Sequence, residues 1–372
     1  MSYTEMNILG MNFKSPIMTA AGPTSANYEL LKSAVEGGAG GIVTKTISVN
    51  PARVPVPNIY SPAPGSLMNA ELWSEYDYRY FIDTELPKIR DLGVPVILSL
   101  GYTPEDMIEM TKYLKGNKNF DAVEFSIHYV SKDVDNIRVI ADSLKSNLDV
   151  PVFAKFSPAI SDIQSMVKTL DPIVDGFAAI NSVGPTLDFD IDTVEPYLGS
   201  RDGRGWLSGR AILPIGLHFV SAIAQATNKP ILGVGGIRTA EDIIKYFMAG
   251  ASAVQVCSQA ILTGPTVYNK LNYGLDKWLN KKGYSNINDI KGLINCKLNQ
   301  EVKYLNEDPL FKPVWDKETC NICKSCATVC THEAISFDNK TLLIDYNKCV
   351  SCGLCTTTCP HDSLKMELIE TI

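Results

Sequence analysis

The sequence predicts an α/β protein with a (β/α)8 barrel, followed by a small cysteine-rich domain. Two observations lead to this prediction. Eight short apolar segments alternate with helix-like segments up to about residue 260, which is the usual length of such a barrel, and eight of the ten cysteines lie between Cys320 and Cys359. Continuous apolar strands are typical of parallel sheets that are buried on both faces. An open, doubly wound sheet is the alternative for the same alternation.

The eight predicted strands are each four to seven residues long and apolar. They are Ile17–Ala21, Gly41–Thr44, Val94–Leu100, Ala122–Ile127, Val152–Lys155, Gly176–Ile180, Ile231–Val234 and Ala253–Val256. Segments with helical periodicity lie between them. They include Tyr28–Glu36, Met107–Leu114, Val134–Ser146 and Ala240–Met248.

Composition limits the class of protein. The chain has 372 residues, 45% hydrophobic and 20% charged, with a net charge of −7. This balance is typical of globular proteins, and the acidic charge argues against nucleic acid or an anionic membrane as a partner. No segment approaches the ~20 apolar residues of a membrane-spanning helix. The start, MSYTEMNILG, lacks a basic region before an apolar one, so we expect a cytoplasmic protein without a secretory signal.

The C-terminal cysteines form two runs with one spacing. Cys320-x2-Cys323-x2-Cys326-x3-Cys330 is repeated 29 residues later as Cys349-x2-Cys352-x2-Cys355-x3-Cys359-Pro360. This is the spacing of bacterial ferredoxins, in which the fourth cysteine of each run ligates the other cluster. It predicts two 4Fe-4S clusters, one held by Cys320, Cys323, Cys326 and Cys359, the other by Cys349, Cys352, Cys355 and Cys330.

A zinc ribbon is the alternative for these cysteines, because it also uses C-x2-C pairs. Two consecutive runs with eight thiolates at ferredoxin spacing favour the clusters. We therefore predict two domains, a barrel over residues 1–310 and a two-cluster, bacterial-ferredoxin-like domain over residues 311–372.

The segment ILGVGGI at Ile231–Ile237 indicates an anion site. Gly235 and Gly236 follow a predicted strand, and Thr239–Asp242 then opens a helix with a capping-box pattern. Glycines let backbone N–H groups approach a phosphate, and loops after strands seven and eight bind phosphate in many β/α barrels. No G-x-G-x-x-G motif occurs, which argues against a nicotinamide site in this chain.

Several stretches of the barrel resemble the dihydroorotate dehydrogenase family, and within it the FMN barrel of dihydropyrimidine dehydrogenases, which also carries a two-cluster module. The resemblance covers nearly the whole chain. The matching stretches are AAGP (Ala20–Pro23), TKT (Thr44–Thr46), SLMNAEL (Ser66–Leu72), AKFSP (Ala154–Pro158), AINSVG (Ala179–Gly184), LSGRAILPIGL (Leu207–Leu217), GVGGI (Gly233–Ile237) and GASAVQV (Gly250–Val256).

The resemblance implies FMN in the barrel and a set of residues around it. Lys45 and Thr46 would lie near the isoalloxazine, with Lys45 a candidate catalytic residue, and Lys155 would face the N1/O2 end of the ring. Ala20, Ala21 and Gly22 would line the flavin, and Asn181 would also lie beside it. Gly209, Gly235, Gly236, Cys257 and Ser258 would surround the ribityl phosphate. Asn69, Asn181 and Ser182 match positions that bind the ring amides of a pyrimidine.

The sequence departs from the family in one loop. Where the family has E-L-N-x-S-C-P-N or E-L-N-x-S-C-P-H, this chain has Glu124-Phe-Ser-Ile-His-Tyr-Val-Ser131. Ser126 replaces a substrate-binding Asn, and Tyr129 replaces the catalytic Cys. A phenol has an ordinary pKa near 10 and acts mainly as a proton donor, so Tyr129 suggests a reductase. His128 is the rival acid, because imidazole titrates near neutrality.

Together these features predict an FMN-dependent iron–sulfur oxidoreductase that acts on CH–CH groups. It would reduce an activated C=C bond in a small carbonyl or heterocyclic substrate, with the proton from Tyr129 or His128. Electrons would enter through the two clusters from a ferredoxin or a separate NAD(P)H/flavin subunit, and a homodimer is compatible with the resemblance. The alternatives are a dihydropyrimidine dehydrogenase catalytic subunit, a dihydroorotate-type dehydrogenase and a non-catalytic electron-transfer flavoprotein.

Overall fold

A computed structural model describes residues 4–101, 103–127, 134–298 and 311–368. The chain divides into two compact units, Met1–Asn299 and Gln300–Ile372. The predicted boundary at residues 310 and 311 lies at the end of a segment outside the described residues. In the described residues no helix is long and apolar enough to span a membrane.

The first unit contains fourteen described strands. In chain order they are β1 (Met6–Ile8), β2 (Met11–Phe13), β3 (Ile17–Thr19), β4 (Ile42–Val43), β5 (Ile59–Ala63), β6 (Ser66–Asn69), β7 (Val96–Leu100), β8 (Ala122–Ser126), β9 (Val152–Phe156), β10 (Gly176–Ala179), β11 (Val183–Leu187), β12 (Arg204–Gly209), β13 (Ile231–Val234) and β14 (Ala253–Val256).

Eight of these strands form one parallel sheet in the order β3-β14-β13-β10-β9-β8-β7-β4. A parallel bridge between Met18 and Gly41 joins the two end strands and closes the sheet into a barrel. The eight strands are those that the sequence predicts, with ends that differ by at most two residues, so the barrel prediction is confirmed and the open-sheet alternative is wrong. Every residue of these strands is buried, which explains their continuous apolar character.

Helices follow the strands on the outside of the barrel. They are Tyr28–Glu36, Tyr78–Tyr80 continued by a π-helical Phe81–Glu85 and by Leu86–Arg90, then Pro104–Leu114, Val134–Asn147, Ile163–Leu170, Leu213–Ala224, Ala240–Ala249, Ser258–Thr263, Val267–Lys282 and Leu293–Leu298. Their starts follow the expected capping chemistry. The Thr239 side chain accepts from the Asp242 N–H, and the Asp242 carboxylate accepts from the Thr239 N–H, as the capping-box pattern predicts.

The barrel interior is filled from its N-terminal end. Each of the eight barrel strands contributes one side chain to a buried cluster, namely Met18, Val43, Ile97, Ala122, Phe153, Ala178, Leu232 and Ala253. The hairpin of β1 and β2 packs Ile8, Met11 and Phe13 into the same cluster. The carboxyl ends of the strands are thereby left for a site, as in other β/α barrels.

A second sheet, which the sequence analysis does not predict, has four antiparallel strands in the order β11-β12-β6-β5. The hairpin of β5 and β6 is inserted after β4, and the hairpin of β11 and β12 is inserted after β10. Pairing of β12 with β6 places Trp206 opposite Asn69. Both insertions follow the carboxyl ends of barrel strands.

The second unit is built from two similar halves. β15 (Phe311–Trp315) pairs with β18 (Leu364–Leu368), β16 (Ile335–Asp338) pairs with β17 (Thr341–Ile344), and the helices are Ser325–Thr328 and Leu354–Thr357. The backbone conformation follows the same 29-residue repeat as the cysteines. Left-handed φ angles occur at equivalent positions of the two halves, namely 322 and 351, 324 and 353, and 333 and 362. Five of these six residues are not glycine, and such residues rarely adopt that conformation. The repeat therefore preserves a special chain path around the cysteines.

Candidate functional site

A cavity lies at the carboxyl ends of the barrel strands. Its lining includes every described residue that the sequence analysis assigned to FMN or substrate. These are Ala20, Ala21, Gly22, Lys45, Thr46, Asn69, Ser126, Lys155, Asn181, Ser182, Gly209, Gly235, Gly236, Cys257 and Ser258. One cavity thus gathers residues from nearly all strand ends, while the role of each residue remains a prediction.

A glycine turn after β13 forms one end of this cavity. Gly235 and Gly236 have φ angles of 114° and 77°, in the region that favours glycine. A Cβ on Gly236 would lie 2.5 Å from Cβ of Leu213, so no larger residue fits there. The buried Tyr246 hydroxyl lies 2.9 Å from the Val234 carbonyl oxygen and 2.7 Å from that of Gly235, and its hydrogen bonding fixes the turn.

Cys257 and Ser258 follow β14 on the other side of this end. The Ser258 hydroxyl donates to Ser208 Oγ at 2.8 Å. A Cβ on Gly22 would lie only 2.6 Å from Cys257 Sγ, so the Ala20–Gly22 backbone and the thiol are in close contact. Burial raises the pKa of Cys257 to about 11, which keeps the thiol neutral near pH 7 and makes it a poor nucleophile. A close backbone approach and a neutral thiol suit the wall of a cofactor site.

Lys155 lies at the base of the cavity in a buried polar network. Its ammonium donates to Glu124 Oε1 at 2.9 Å and to Gln255 Oε1 at 3.1 Å, and Gln255 Nε2 donates to Glu124 Oε2 at 2.5 Å. The three side chains belong to the strands β9, β8 and β14. A buried ion pair with its remaining polar atoms hydrogen-bonded has a fixed geometry.

Lys45 forms a second paired cation on the same cavity. Its ammonium lies 2.8 Å from Glu71 Oε2 and 3.0 Å from Glu75 Oε2, and Asn58 donates to the other oxygen of Glu71. Glu71 and Glu124 line the cavity with the two lysines. Each lining lysine is therefore paired with a lining carboxylate. A dianionic phosphate would then depend on backbone N–H groups and hydroxyls at the glycine end.

The two asparagines assigned to substrate are already partly hydrogen-bonded. Asn181 Nδ2 donates to Ser126 Oγ at 3.1 Å, and Asn181 Oδ1 accepts from the Ser182 N–H at 2.8 Å. Asn69 Nδ2 donates to the Trp206 carbonyl at 3.1 Å, and its Oδ1 accepts from the Glu71 N–H at 3.2 Å. Each amide retains one N–H for a ligand, and Asn69 also retains a lone pair, whereas Asn181 Oδ1 accepts a second hydrogen bond from the Ser182 hydroxyl at 3.4 Å.

Three cavity residues with functional chemistry are missed by the sequence analysis, namely Glu71, Glu124 and Gln255. Glu71 belongs to SLMNAEL, in which only Asn69 was assigned a role, and Gln255 belongs to GASAVQV, which ends just before the assigned Cys257 and Ser258. Glu124 carries a visible signal, because it is a carboxylate at the centre of the apolar strand AVEFS. His128 and Tyr129, the two candidate acids, lie outside the described residues, and their assignment stays a prediction.

The second unit contains two cavities, each lined by four cysteines. Cavity I is lined by Cys320, Cys323, Cys326 and Cys359. Cavity II is lined by Cys330, Cys349, Cys352 and Cys355. Each cavity combines three cysteines of one run with the fourth of the other, which is the grouping expected from ferredoxin spacing.

The cysteine quartets have the chemistry of cluster ligands. The backbone N–H groups of Ala334 and Ser363 donate to the sulfur atoms of Cys330 and Cys359, both at 3.3 Å, and these two contacts are equivalent in the repeat. Hydrogen bonds of this kind stabilise thiolates. In the described part of the chain, no group of three or more His, Cys, Asp or Glu is arranged to hold a single metal ion. The support for two clusters is the grouping itself, three cysteines of one run with the fourth of the other.

Comparison with known proteins agrees with this geometry. The model of the dihydroorotate dehydrogenase family matches residues 3–279, and the model of the 4Fe-4S dicluster domain matches residues 319–363. The catalytic subunit of dihydroorotate dehydrogenase B (NAD(+)) from Pyrococcus abyssi is 31% identical over 300 residues, which cover 78% of this chain and 98% of that protein. The same subunit from Thermoplasma acidophilum is also 31% identical over 300 residues, covering 77% and 97%.

Fold and site define a β/α-barrel oxidoreductase that acts on CH–CH groups. The chain belongs to the dihydroorotate dehydrogenase family. Its cofactors are FMN, which fits the glycine-walled barrel cavity, and two 4Fe-4S clusters, which fit the cysteine quartets. The predictions of the family, the enzyme class and the cofactors are confirmed.

Proposed function

We propose that this enzyme reduces an activated C=C bond of a small carbonyl or heterocyclic substrate, using electrons that enter through the dicluster domain. The observation that carries the proposal is one barrel cavity lined both by the residues assigned to FMN and by the amide and hydroxyl side chains of Asn69, Asn181 and Ser182. Bound FMN supplies hydride transfer and the bound clusters supply single-electron transfer. Reduction of one C=C bond takes two electrons from the donor, with one hydrogen added as hydride and the other as a proton.

Lys155 is proposed to hold the negative charge that accompanies reduction of the cofactor. Its ammonium is already fixed by Glu124 and Gln255, and the third N–H of the ammonium is left for the cavity. A preorganised cation costs no reorganisation when charge develops. Lys45, fixed by Glu71 and Glu75, is the second cation on this cavity.

The substrate is proposed to differ from a full pyrimidine ring. Ser126 stands where the family has a substrate-binding Asn, and its hydroxyl accepts a hydrogen bond from Asn181. One amide edge of a pyrimidine therefore loses a bidentate partner, because asparagine donates and accepts through two separate atoms and serine has one oxygen only. A site that lacks a required hydrogen-bond partner discriminates strongly, so we expect one carbonyl or carboxamide to be held by Asn69, Asn181 and Ser182.

The proton is proposed to come from the loop after β8, from Tyr129 or alternatively from His128. Tyr129 stands where the family has a catalytic cysteine. A phenol remains protonated at neutral pH, which suits donation in the reductive direction.

A separate electron donor completes the proposal. The similar proteins are named catalytic subunits of an NAD(+)-dependent enzyme, and this chain has no G-x-G-x-x-G motif. We propose that a ferredoxin or an NAD(P)H/flavin subunit reduces the clusters.

An anaerobic substrate panel tests the proposal. The holoprotein is reduced with dithionite, and flavin absorbance is followed after addition of uracil, thymine, orotate or non-pyrimidine conjugated enones and amides. Rapid reoxidation by a non-pyrimidine compound supports the proposal in full. Reoxidation by uracil alone would instead identify a dihydropyrimidine dehydrogenase. Flavin reduction by dihydroorotate, with no reoxidation by any conjugated carbonyl, would contradict the reductive direction.

A further inference from the structure

Strand β15 lies along both cysteine-lined cavities of the second unit. Pro313 lines cavity II, and Trp315, two residues later on the same face of the strand, lines cavity I. β15 also contains Lys312, which lies on the opposite face of the strand, lines neither cavity and is only 8% exposed. Two residues of β15, Lys312 and Trp315, therefore carry side-chain N–H donors in the domain that contains the cluster cysteines.

Lys312 is a buried cation without a carboxylate partner. Its ammonium donates to the backbone carbonyls of Cys349, at 2.8 Å, and of Tyr346, at 3.3 Å. No ion pair of the described residues includes Lys312, and its cross-strand neighbour Glu367 is exposed. The two carbonyl dipoles compensate part of this buried charge, and an anion nearby would stabilise it further. A 4Fe-4S cluster with four thiolates is an anion, and Cys349 is a member of cavity II.

Trp315 is a buried donor without a partner. Its indole Nε1 is inaccessible to solvent and makes no hydrogen bond to any described residue. Leaving such a donor unsatisfied costs about 1–3 kcal/mol. Trp315 lines cavity I beside Cys320 and Cys326, where sulfur atoms of a bound cluster would be the available acceptors.

The internal repeat does not duplicate either donor. At the 29-residue offset, Thr341 corresponds to Lys312 and Ile344 corresponds to Trp315. The Thr341 side chain carries no charge, and the Ile344 side chain has no N–H donor. The two halves therefore provide different electrostatic environments despite their similar chain paths.

We propose that β15 sets the reduction potentials of the two clusters separately, through the charge of Lys312 on the cluster of cavity II and through a hydrogen bond from Trp315 Nε1 to sulfur in cavity I. Each cluster gains one negative charge when it accepts an electron. A nearby cation or N–H donor stabilises that reduced form and raises the potential. The inference depends on the cluster ligands and not on the identity of the substrate.

The test is an anaerobic redox titration of the holoprotein, with the reduced clusters followed by electron paramagnetic resonance. Lys312→Met removes the charge and keeps the stem, Lys312→Arg keeps the charge, and Trp315→Phe removes the donor and keeps a ring. Lys365→Met, an exposed lysine on the paired strand β18, is the matched control. Only loaded clusters give a signal, so partial loss of iron does not obscure the comparison.

We expect Lys312→Met to disfavour reduction of one cluster at least tenfold, which is 59 mV for one electron. Trp315→Phe should lower the potential of the other cluster, while Lys312→Arg and Lys365→Met leave both close to the unmodified protein. Unchanged potentials in Lys312→Met and Trp315→Phe would overturn the proposal, as would equal shifts of both clusters in each variant. Complete loss of clusters in both variants would also overturn it, since the two residues would then be structural supports.

Discussion

The Lys155 ammonium lies 2.9 Å from the Glu124 carboxylate, and both side chains are buried beneath the barrel cavity. The pair joins the neighbouring parallel strands β8 and β9. Lys155 of β9 lies opposite Ser126 of β8, and Glu124 is two residues before Ser126 on the same face of β8. Gln255 bridges the pair from β14. A fixed cation and a fixed carboxylate are thus built into the scaffold before any ligand binds.

The pair predicts a characteristic order of stabilities. Lys155→Met leaves a buried carboxylate without its cation, which typically costs about 3–5 kcal/mol. Adding Glu124→Gln removes that orphaned charge, so the double variant should unfold at a higher temperature than Lys155→Met alone, by roughly 2–4 °C for each kcal/mol recovered. Both variants lack Lys155, so any contact of Lys155 with FMN is lost equally. Thermal unfolding by circular dichroism checks this order, and a double variant less stable than Lys155→Met would contradict it.

Tyr246 is predicted to support FMN binding from outside the cavity. Its hydroxyl donates toward the carbonyl oxygens of Val234 and Gly235, and this hydrogen bonding fixes the glycine turn. Tyr246→Phe removes the hydroxyl donor from the Gly235 oxygen, whereas the Val234 oxygen still accepts from the Ile180 N–H. Loss of a buried hydrogen-bond partner costs about 1–3 kcal/mol, so the variant should weaken FMN binding severalfold or more. Fluorescence titration of flavin-depleted protein measures the dissociation constant.

The control is Tyr78→Phe, which removes a hydroxyl bonded to Glu109 at 2.7 Å and lies away from the cavity. This variant should bind FMN as tightly as the unmodified protein. Equal weakening by the two substitutions would show that Tyr246 has no specific connection to the turn.

Gly22 and Cys257 are predicted to be coupled through their close approach. A methyl group on Gly22 would lie 2.6 Å from Cys257 Sγ, well inside van der Waals contact. Gly22→Ala should therefore lower the FMN content of the purified protein. Adding Cys257→Ala removes the clashing sulfur and should restore much of it, whereas Cys257→Ala alone should have a small effect. Additive losses in the double variant would contradict this coupling.

Tyr129 is predicted to be the proton donor. Tyr129→Phe should slow substrate-dependent reoxidation of the reduced enzyme by about 10²–10⁴-fold, which is the usual contribution of a general acid. His128→Asn should have a smaller effect, and FMN and iron contents should not change in either variant. Stopped-flow absorbance measures both rates. The reverse order of effects would assign the proton to His128, and unchanged rates in both would exclude this loop as the acid.

The sequence predicts the barrel well because its strands are buried on both faces. Segments such as GFAA and ILGV are continuously apolar, and their order along the chain decides the parallel topology. The antiparallel sheet at the cavity carries no comparable pattern. Its strands β5 and β11 are half-exposed, and each contains a proline, Pro62 or Pro185. Short strands of this kind are defined by their tertiary partners rather than by periodicity.

The same reasoning explains which site residues are visible in the sequence. The cysteine quartets follow from local spacing, and the glycine turn follows from its place after a strand. Glu124 and Gln255 are polar residues inside apolar strands, and their partner Lys155 is 31 residues from one and 100 from the other. Only the closure of the barrel brings the three together.

The most direct test of the central claim is the number of substrate molecules that one reduced chain can convert. FMN stores two electrons and the two clusters store about one each, so a fully reduced chain should convert about two equivalents of the substrate identified by the panel. We would titrate dithionite-reduced, desalted holoprotein anaerobically and follow flavin and cluster absorbance together. Reoxidation of flavin and clusters in parallel, complete at about two equivalents, is the predicted result. Reoxidation of the flavin alone at about one equivalent, with the clusters still reduced, would contradict the claim that the clusters deliver electrons to the barrel.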